Sequence, residues 1–251
     1  MNINELKEYL KSEENKTFQG WDFSYIKDRS DSEPLPWDYK EIVLQYLKPS
    51  NMLLDMGTGG GEFLLTLNHP YQQTSITEAF PPNVELCKTT LIPLGIDVRQ
   101  IFDDSEIPYE TNAFDIVINR HESYDADEVN RVLKSGGYFI TQQVGGKNNN
   151  DLSYKLIKDY APQFPNHDLE NNIDLLKVSG FDILFSNEVF SPMKFYDLGA
   201  LVYYAKIIEW EFPNFSVDTC FEKLCVLQNE LQEQGYISTT EHRFIIVARK
   251  K

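Results

Sequence analysis

Short apolar runs alternate with segments of helical periodicity through the middle of the chain. Tyr39, Ile42, Val43, Tyr46 and Leu47 recur at helical spacing, which predicts a helix over 38–47 that Pro49 stops. The run over 51–55 reads as a buried strand, a glycine cluster follows, and 62–67 reads as helix. Further strands are predicted over 74–78, 96–102, 114–119 and 138–144. Between them, a helix opens at Pro82, where the missing N–H does no harm, and runs to about Leu91. Another spans 125–133, with Lys134-Ser135-Gly136-Gly137 as its glycine stop. Strands alternating with helices of this length imply βαβ units and a mostly parallel sheet.

The two ends are less regular. A polar helix is predicted over 4–11, followed by a segment rich in proline and charge that carries Phe18, Trp21, Phe23 and Trp37. After a polar loop over 145–150 come helices at 152–160 and 169–179, a strand at 181–190 and an aromatic-rich stretch at 191–213. An amphipathic helix over 216–234 closes at Gly235, and 241–249 forms a last strand. The expected organisation is an N-terminal arm or lid (1–37), a core (38–190), a helical insertion covering a substrate (191–240) and a final core strand (241–251).

Composition narrows the function classes. With 251 residues, 41% of them hydrophobic, the chain can bury a full core. Its 39 acidic residues against 23 basic ones give a net charge of -16, which repels phosphate backbones and argues against a nucleic-acid partner. Cys87, Cys220 and Cys225 lack the spacing of a zinc site or a disulfide framework and read as free thiols in a reducing compartment. No secretory signal and no run of about 20 apolar residues is visible, so a cytoplasmic protein is expected. Oligomeric state is not legible.

The glycine cluster Asp55-Met56-Gly57-Thr58-Gly59-Gly60-Gly61 lets a ligand approach the backbone between a strand and a helix. Its spacing fails the dinucleotide pattern G-x-G-x-x-G from either Gly57 or Gly59. Gly146-Lys147 is followed by Asn148, so no phosphate-binding G-K-[ST] exists there either. What remains is an acid at a strand end followed by alternating glycines. A plain glycine turn with a helix-capping aspartate is the simpler reading. The pattern also resembles motif I of the class I S-adenosylmethionine-dependent methyltransferases, in a type 11-like version. Glu78 at the next strand end, Phe102-Asp103-Asp104 after the third strand, Phe114 to Ile118, and Arg131-Val132-Leu133-Lys134-Ser135-Gly136-Gly137 extend the resemblance over about 40–145.

The resemblance implies a Rossmann-like α/β fold, a doubly wound, mostly parallel seven-stranded sheet whose last strand is antiparallel. It implies S-adenosyl-L-methionine as cofactor, held by Asp55, Gly57, Thr58, Gly59, Gly61, Glu78, Ala79, Phe102, Asp103 and Asn119. Glu78 would take the ribose hydroxyls and Asp103, with Asp104 its competitor, the adenine amino group. Transfer to an unidentified small molecule is the leading expectation. An RNA or protein methyltransferase, or a cofactor-binding module without turnover, is the alternative. His121 is the candidate acid, base or anchor, because histidine titrates near neutrality. Trp21, Trp37, Glu122 and Tyr203 join His121 as candidate substrate contacts. No metal is expected, since His121-Glu122 is followed by Ser123-Tyr124-Asp125 rather than the second histidine of a zinc helix.

Overall fold

A computed structural model describes residues 2–18 and 23–251. In chain order the helices are α1 (Ile3–Glu14), α2 (Tyr39–Tyr46), α3 (Glu62–Thr66), α4 (Pro81–Thr90), α5 (Ala126–Val132), α6 (Asn150–Leu156), α7 (Leu169–Val178), α8 (Leu198–Ile207) and α9 (Val217–Gln234). The strands are β1 (Ser30–Ser32), β2 (Leu53–Met56), β3 (Thr74–Glu78), β4 (Asp97–Gln100), β5 (Phe114–Arg120), β6 (Leu133–Val144), β7 (Phe181–Phe195) and β8 (Ile237–Lys250). Two compact units share this chain. One comprises Leu35–Val144, Asp168–Glu188 and Arg243–Lys251; the other comprises Met1–Pro34, Gly145–His167 and Val189–His242.

The sheet order is β1-β7-β8-β6-β5-β2-β3-β4. β2 pairs in parallel with both β3 and β5, β3 with β4, and β5 with β6, whereas β8 is antiparallel to β6. The chain thus winds outward from β2 in both directions, and the strand order reverses between β2 and β5. Every residue of β2 and β3 is buried, as expected of parallel strands covered on both faces. Alternation sorts their side chains. Leu54, Met56, Val117 and Phe139 pack with Val129 of α5 and Leu176 of α7. Leu53, Ile76, Ile116 and Ile140 pack with Val43 of α2, Leu64 of α3 and Cys87 of α4. This is the doubly wound α/β arrangement the sequence implies.

Three expectations are corrected. Among the described residues the sheet has eight strands, not seven, because Ser30–Ser32 pairs antiparallel with Met193–Phe195 of β7. Three polar residues carry no hydrophobic alternation, so nothing local marks this strand. β7 itself runs on to Phe195, five residues past the Phe190 that closes the expected strand, and the carbonyl of Pro192 accepts from Glu33 N–H. Finally, Lys134 to Gly137 does not simply stop α5. Leu133 already pairs with Phe114, and a bulge intervenes before Tyr138 pairs with Ile116. Gly136 takes φ +76° inside that bulge, and a Cβ on Gly137 would lie 2.9 Å from the carbonyls of Asp115 and Lys134.

The other unit is largely helical. Its core gathers Leu10 of α1, Leu152 of α6, Leu201 and Val202 of α8, and Leu224 of α9. Leu198 to Ala205 of α8 are all buried, so that helix shows no polar face in its sequence. Asp197 caps α8 through Ala200 N–H and accepts two bonds from Arg29, at 2.6 and 2.7 Å; Arg29 also reaches Glu13 at 2.9 Å. Burial would raise the pKa of Asp197, but Arg29 and the cap amide outweigh it and hold it low. Among the described residues no helix is long and apolar enough to cross a membrane.

Candidate active site

The strand order reverses between β2 and β5, and in open α/β sheets ligands usually bind at the carboxyl ends of the strands beside such a reversal. All the residues described next, except Tyr203 and the rings it packs against, belong to the unit containing the parallel strands.

The chain leaves β2 into a turn in which Gly57, Gly59 and Gly61 all have positive φ. The amides of Gly57 and Thr58 donate to the carbonyl of Thr77, tying the turn to β3. Thr58 Oγ1 donates to Asp55 Oδ2 at 2.7 Å. Glu78 accepts from Gly59 N–H on one oxygen (2.8 Å) and from Phe80 N–H on the other (2.9 Å). Each oxygen keeps a lone pair for a further donor such as a hydroxyl. Cys87 Sγ donates to Gly59 O at 3.1 Å. Gly57 is constrained twice. At φ +65° a side chain is strained, and a Cβ there would sit 2.5 Å from Cβ and Cγ of Glu122.

These contacts gather acids. Burial, reinforced by Glu78, pushes the Asp55 carboxyl up to about 7, against the opposing effects of Thr58 and Arg120. Glu122 is likewise pushed up to about 7 by burial and by Glu78 and Asp104. The Cys87 thiol rises to about 12 through burial, Glu78, Glu62 and Asp55. The turn therefore gathers three acidic side chains, two of them with raised pKa values.

The loop after β4 differs. Phe102 is 87% exposed, an unusual state for a large aromatic side chain. Asp103 is exposed and folds onto Ser105, accepting from its amide (2.9 Å) and hydroxyl (2.7 Å), which lowers its pKa. Asp104, the competing acid, instead accepts from Ser123 Oγ at 2.5 Å, linking this loop to the one after β5. Ala79 is exposed beside Glu78.

The ends of β5 and β6 carry a hydrogen-bonded network. Asn119 is fully buried; its Oδ1 accepts from Thr141 Oγ1 (2.9 Å) and Gln143 Nε2 (2.6 Å), while its Nδ2 has no partner. Tyr39 OH donates to Asn119 O at 3.0 Å, and burial holds its pKa well above the ordinary value. Gln143 Nε2 also reaches Glu122 O at 2.9 Å. His121 follows at φ +66°, its amide donating to Gln142 O at 2.8 Å. Its Nε2 lies 3.0 Å from Gln142 Nε2, and Gln142 Oε1 accepts from Trp37 Nε1 at 2.7 Å.

The structure thus brings Asp55, Gly57, Thr58, Gly59, Glu78 and Glu122 together, and joins Trp37 to His121 through Gln142. Phe102 and Asp103 stay on a separate exposed loop. Tyr203 belongs to the helical unit, where its ring packs against Tyr25 at 4.8 Å and Phe18 at 6.3 Å. Trp21 lies outside the described residues. Sequence reading missed Tyr39, Thr141, Gln142 and Gln143. The signal for the last three is a polar triplet that directly follows the apolar run Tyr138 to Ile140 and is itself almost fully buried.

Residues 54–141 match the model of a methyltransferase domain family. No curated protein sequence matches the chain. Among solved structures, YcgJ of Bacillus subtilis superposes with a TM-score of 0.57 at 16% identity, over 85% of this chain and 98% of that one. A SAM-dependent methyltransferase from Aquifex aeolicus gives 0.50 at 16%, over 92% and 100%. The [4+2]-cyclase SpnF gives 0.50 at 17%, over 84% and 80%. At these identities the superpositions speak for the fold alone, a Rossmann-like α/β core, and the likeness to the methyltransferase domain family is confined to residues 54–141.

Proposed function

We propose that this chain binds S-adenosyl-L-methionine across the β2–β3 strand ends and transfers its methyl group to a small molecule. The observation that carries the reading is the acid surplus on a glycine turn. A dinucleotide would bring a pyrophosphate dianion to that turn, against Asp55, Glu78 and Glu122. S-adenosylmethionine brings an ammonium and a sulfonium instead, and the carboxylates favour both. When bound, the cofactor supplies an electrophilic methyl carbon on a positively charged sulfur.

The residues divide the work. Glu78 uses its remaining lone pairs for the ribose hydroxyls, while the Gly57 to Gly61 backbone admits the ligand closely. Asp55 and Glu122 balance the positive end. Phe102 offers an exposed flat face for the adenine ring, and Asn119 offers its unpartnered Nδ2–H to a ligand oxygen. Transfer needs the acceptor's lone pair in line with the carbon–sulfur bond, so orientation in a dry crevice supplies much of the rate. The net charge of -16 favours a small acceptor over RNA. The test is a screen of methyl transfer from labelled cofactor into metabolite, RNA and protein fractions. Label in a small-molecule fraction is expected. Label only in RNA or protein overturns the substrate class. Cofactor binding with no transfer anywhere favours the alternative of a module without turnover. The fold leaves room for that outcome, since it is shared with a [4+2]-cyclase.

A further inference from the structure

The hydrogen bonds around His121 form a directional chain. An indole N–H only donates, so the contact from Trp37 Nε1 at 2.7 Å identifies the Gln142 atom it meets as the amide oxygen. The amide NH2 of Gln142 then faces His121 Nε2 at 3.0 Å. Two donors cannot share that contact, so Nε2 must be the unprotonated, accepting nitrogen and the ring proton must sit on Nδ1. The backbone enforces the placement, because His121 holds φ +66° and its amide is tied to Gln142 O. Gln142 is itself 5% exposed and cannot easily turn away. Packing of the surrounding loop is the largest influence that disfavours a second proton on the ring, and the charges of Arg243 and Arg120 act in the same direction. The ring nevertheless belongs to an exposed residue, so solvent weakens all of these effects while leaving their sign.

We infer that Trp37 and Gln142 are positioning residues that lock His121 as a neutral imidazole protonated on Nδ1, which makes it a hydrogen-bond donor to an anionic or carbonyl oxygen of the methyl acceptor rather than a general base. The inference rests on the proposed methyl transfer for its functional half only. With Nε2 occupied by Gln142 and Nδ1 already carrying a proton, the ring has no free lone pair to take a proton from the acceptor. The guanidiniums of Arg120 and Arg243 add a local positive potential to a protein of charge -16, which suits an acceptor bearing negative oxygen. Trp37 thereby becomes a partner of the site's histidine, in addition to any contact with substrate.

The experiment is nitrogen-15 NMR of the full chain labelled at histidine, with the His121 signals assigned by their loss in His121→Ala. A protonated Nδ1 and a bare Nε2, unchanged from pH 8 to pH 5.5, are expected. Gln142→Glu replaces the donor by an acceptor and is expected to move the proton to Nε2 and raise the His121 pKa by one unit or more. Trp37→Phe removes only the N–H that orients Gln142 and is expected to give a mixture of tautomers; it serves if Gln142→Glu does not fold. A proton on Nε2 in the wild type, or a tautomer that neither variant shifts, would overturn the lock. For an active enzyme, the pH dependence of kcat/KM should lack a histidine limb in the wild type and gain one in Gln142→Glu. Because the NMR result is read without cofactor, its failure is distinguishable from failure of the methyl-transfer reading.

Discussion

The strand ends on the two sides of the β2–β5 reversal are built from opposite materials. The strand ends of β2 and β3 present backbone amides and buried carboxylates on a turn of positive φ. Those of β5 and β6 present amide side chains and a histidine, beside the guanidiniums of Arg120 and Arg243. The difference teaches that neighbouring strand ends can carry opposite chemistry. On the proposed reading, the acids would favour a cationic nucleoside at one end, and the donors an oxygen-bearing acceptor at the other.

The comparison breaks most readily at Gly57. Gly57→Ala places a Cβ against Glu122 at φ +65°, a combination of clash and backbone strain of order 1–3 kcal/mol or more. Calorimetry should show a loss of cofactor affinity of at least a hundredfold, with the far-ultraviolet circular dichroism retained. Gly57→Ala combined with Glu122→Gly should recover part of the loss, because the clash goes and the strain stays. Next in size, Asp55→Asn and Glu78→Gln should each weaken S-adenosylmethionine about tenfold or more, on the ~1.5–3 kcal/mol scale of hydrogen bonds to charged groups. The same variants should leave the histidine signals at the other end unmoved.

A pH series sharpens the contrast. Asp55 and Glu122 have pKa values near 7 in the free protein, above the ordinary carboxylate range. A cationic ligand prefers their ionised forms, so affinity should rise with pH through about 7 and binding below that pH should release protons. Folding runs the other way. Raised acid pKa values mean that the native state binds more protons than the unfolded one between the ordinary carboxylate range and about 7. The melting temperature of the cofactor-free protein should therefore receive a falling contribution over that window, one that Asp55→Asn diminishes. The smallest expected effect is at Ser123→Ala. It removes an exposed bond to Asp104 and should change cofactor affinity by less than about threefold, within the ~0.5–1.5 kcal/mol of an ordinary hydrogen bond.

The same division decides what could be read in the sequence. The acid-and-glycine end is written within 24 consecutive residues, from Asp55 to Glu78, and its strands are continuous apolar runs. The alternation of strand and helix over 38–144 was equally legible, since each element is defined by neighbours along the chain. The other end joins Trp37 to Gln142 across a separation of 105 residues, and only the sheet brings them together. Its signal was present as polar Thr141, Gln142 and Gln143 in a buried strand, but polarity alone names no partner. β1 escaped for the same reason, because its pairing with β7 depends on tertiary contact and not on any pattern in Ser30, Asp31 and Ser32.

On the proposed reading, the turn from Asp55 to Gly61 is built for a cationic nucleoside. Isothermal titration of the full chain with S-adenosylmethionine and, separately, with NADH at pH 6 and pH 8 tests it directly. Saturable binding of S-adenosylmethionine that tightens at pH 8, with no binding of NADH, is the expected result. Binding of NADH without binding of S-adenosylmethionine would contradict the account.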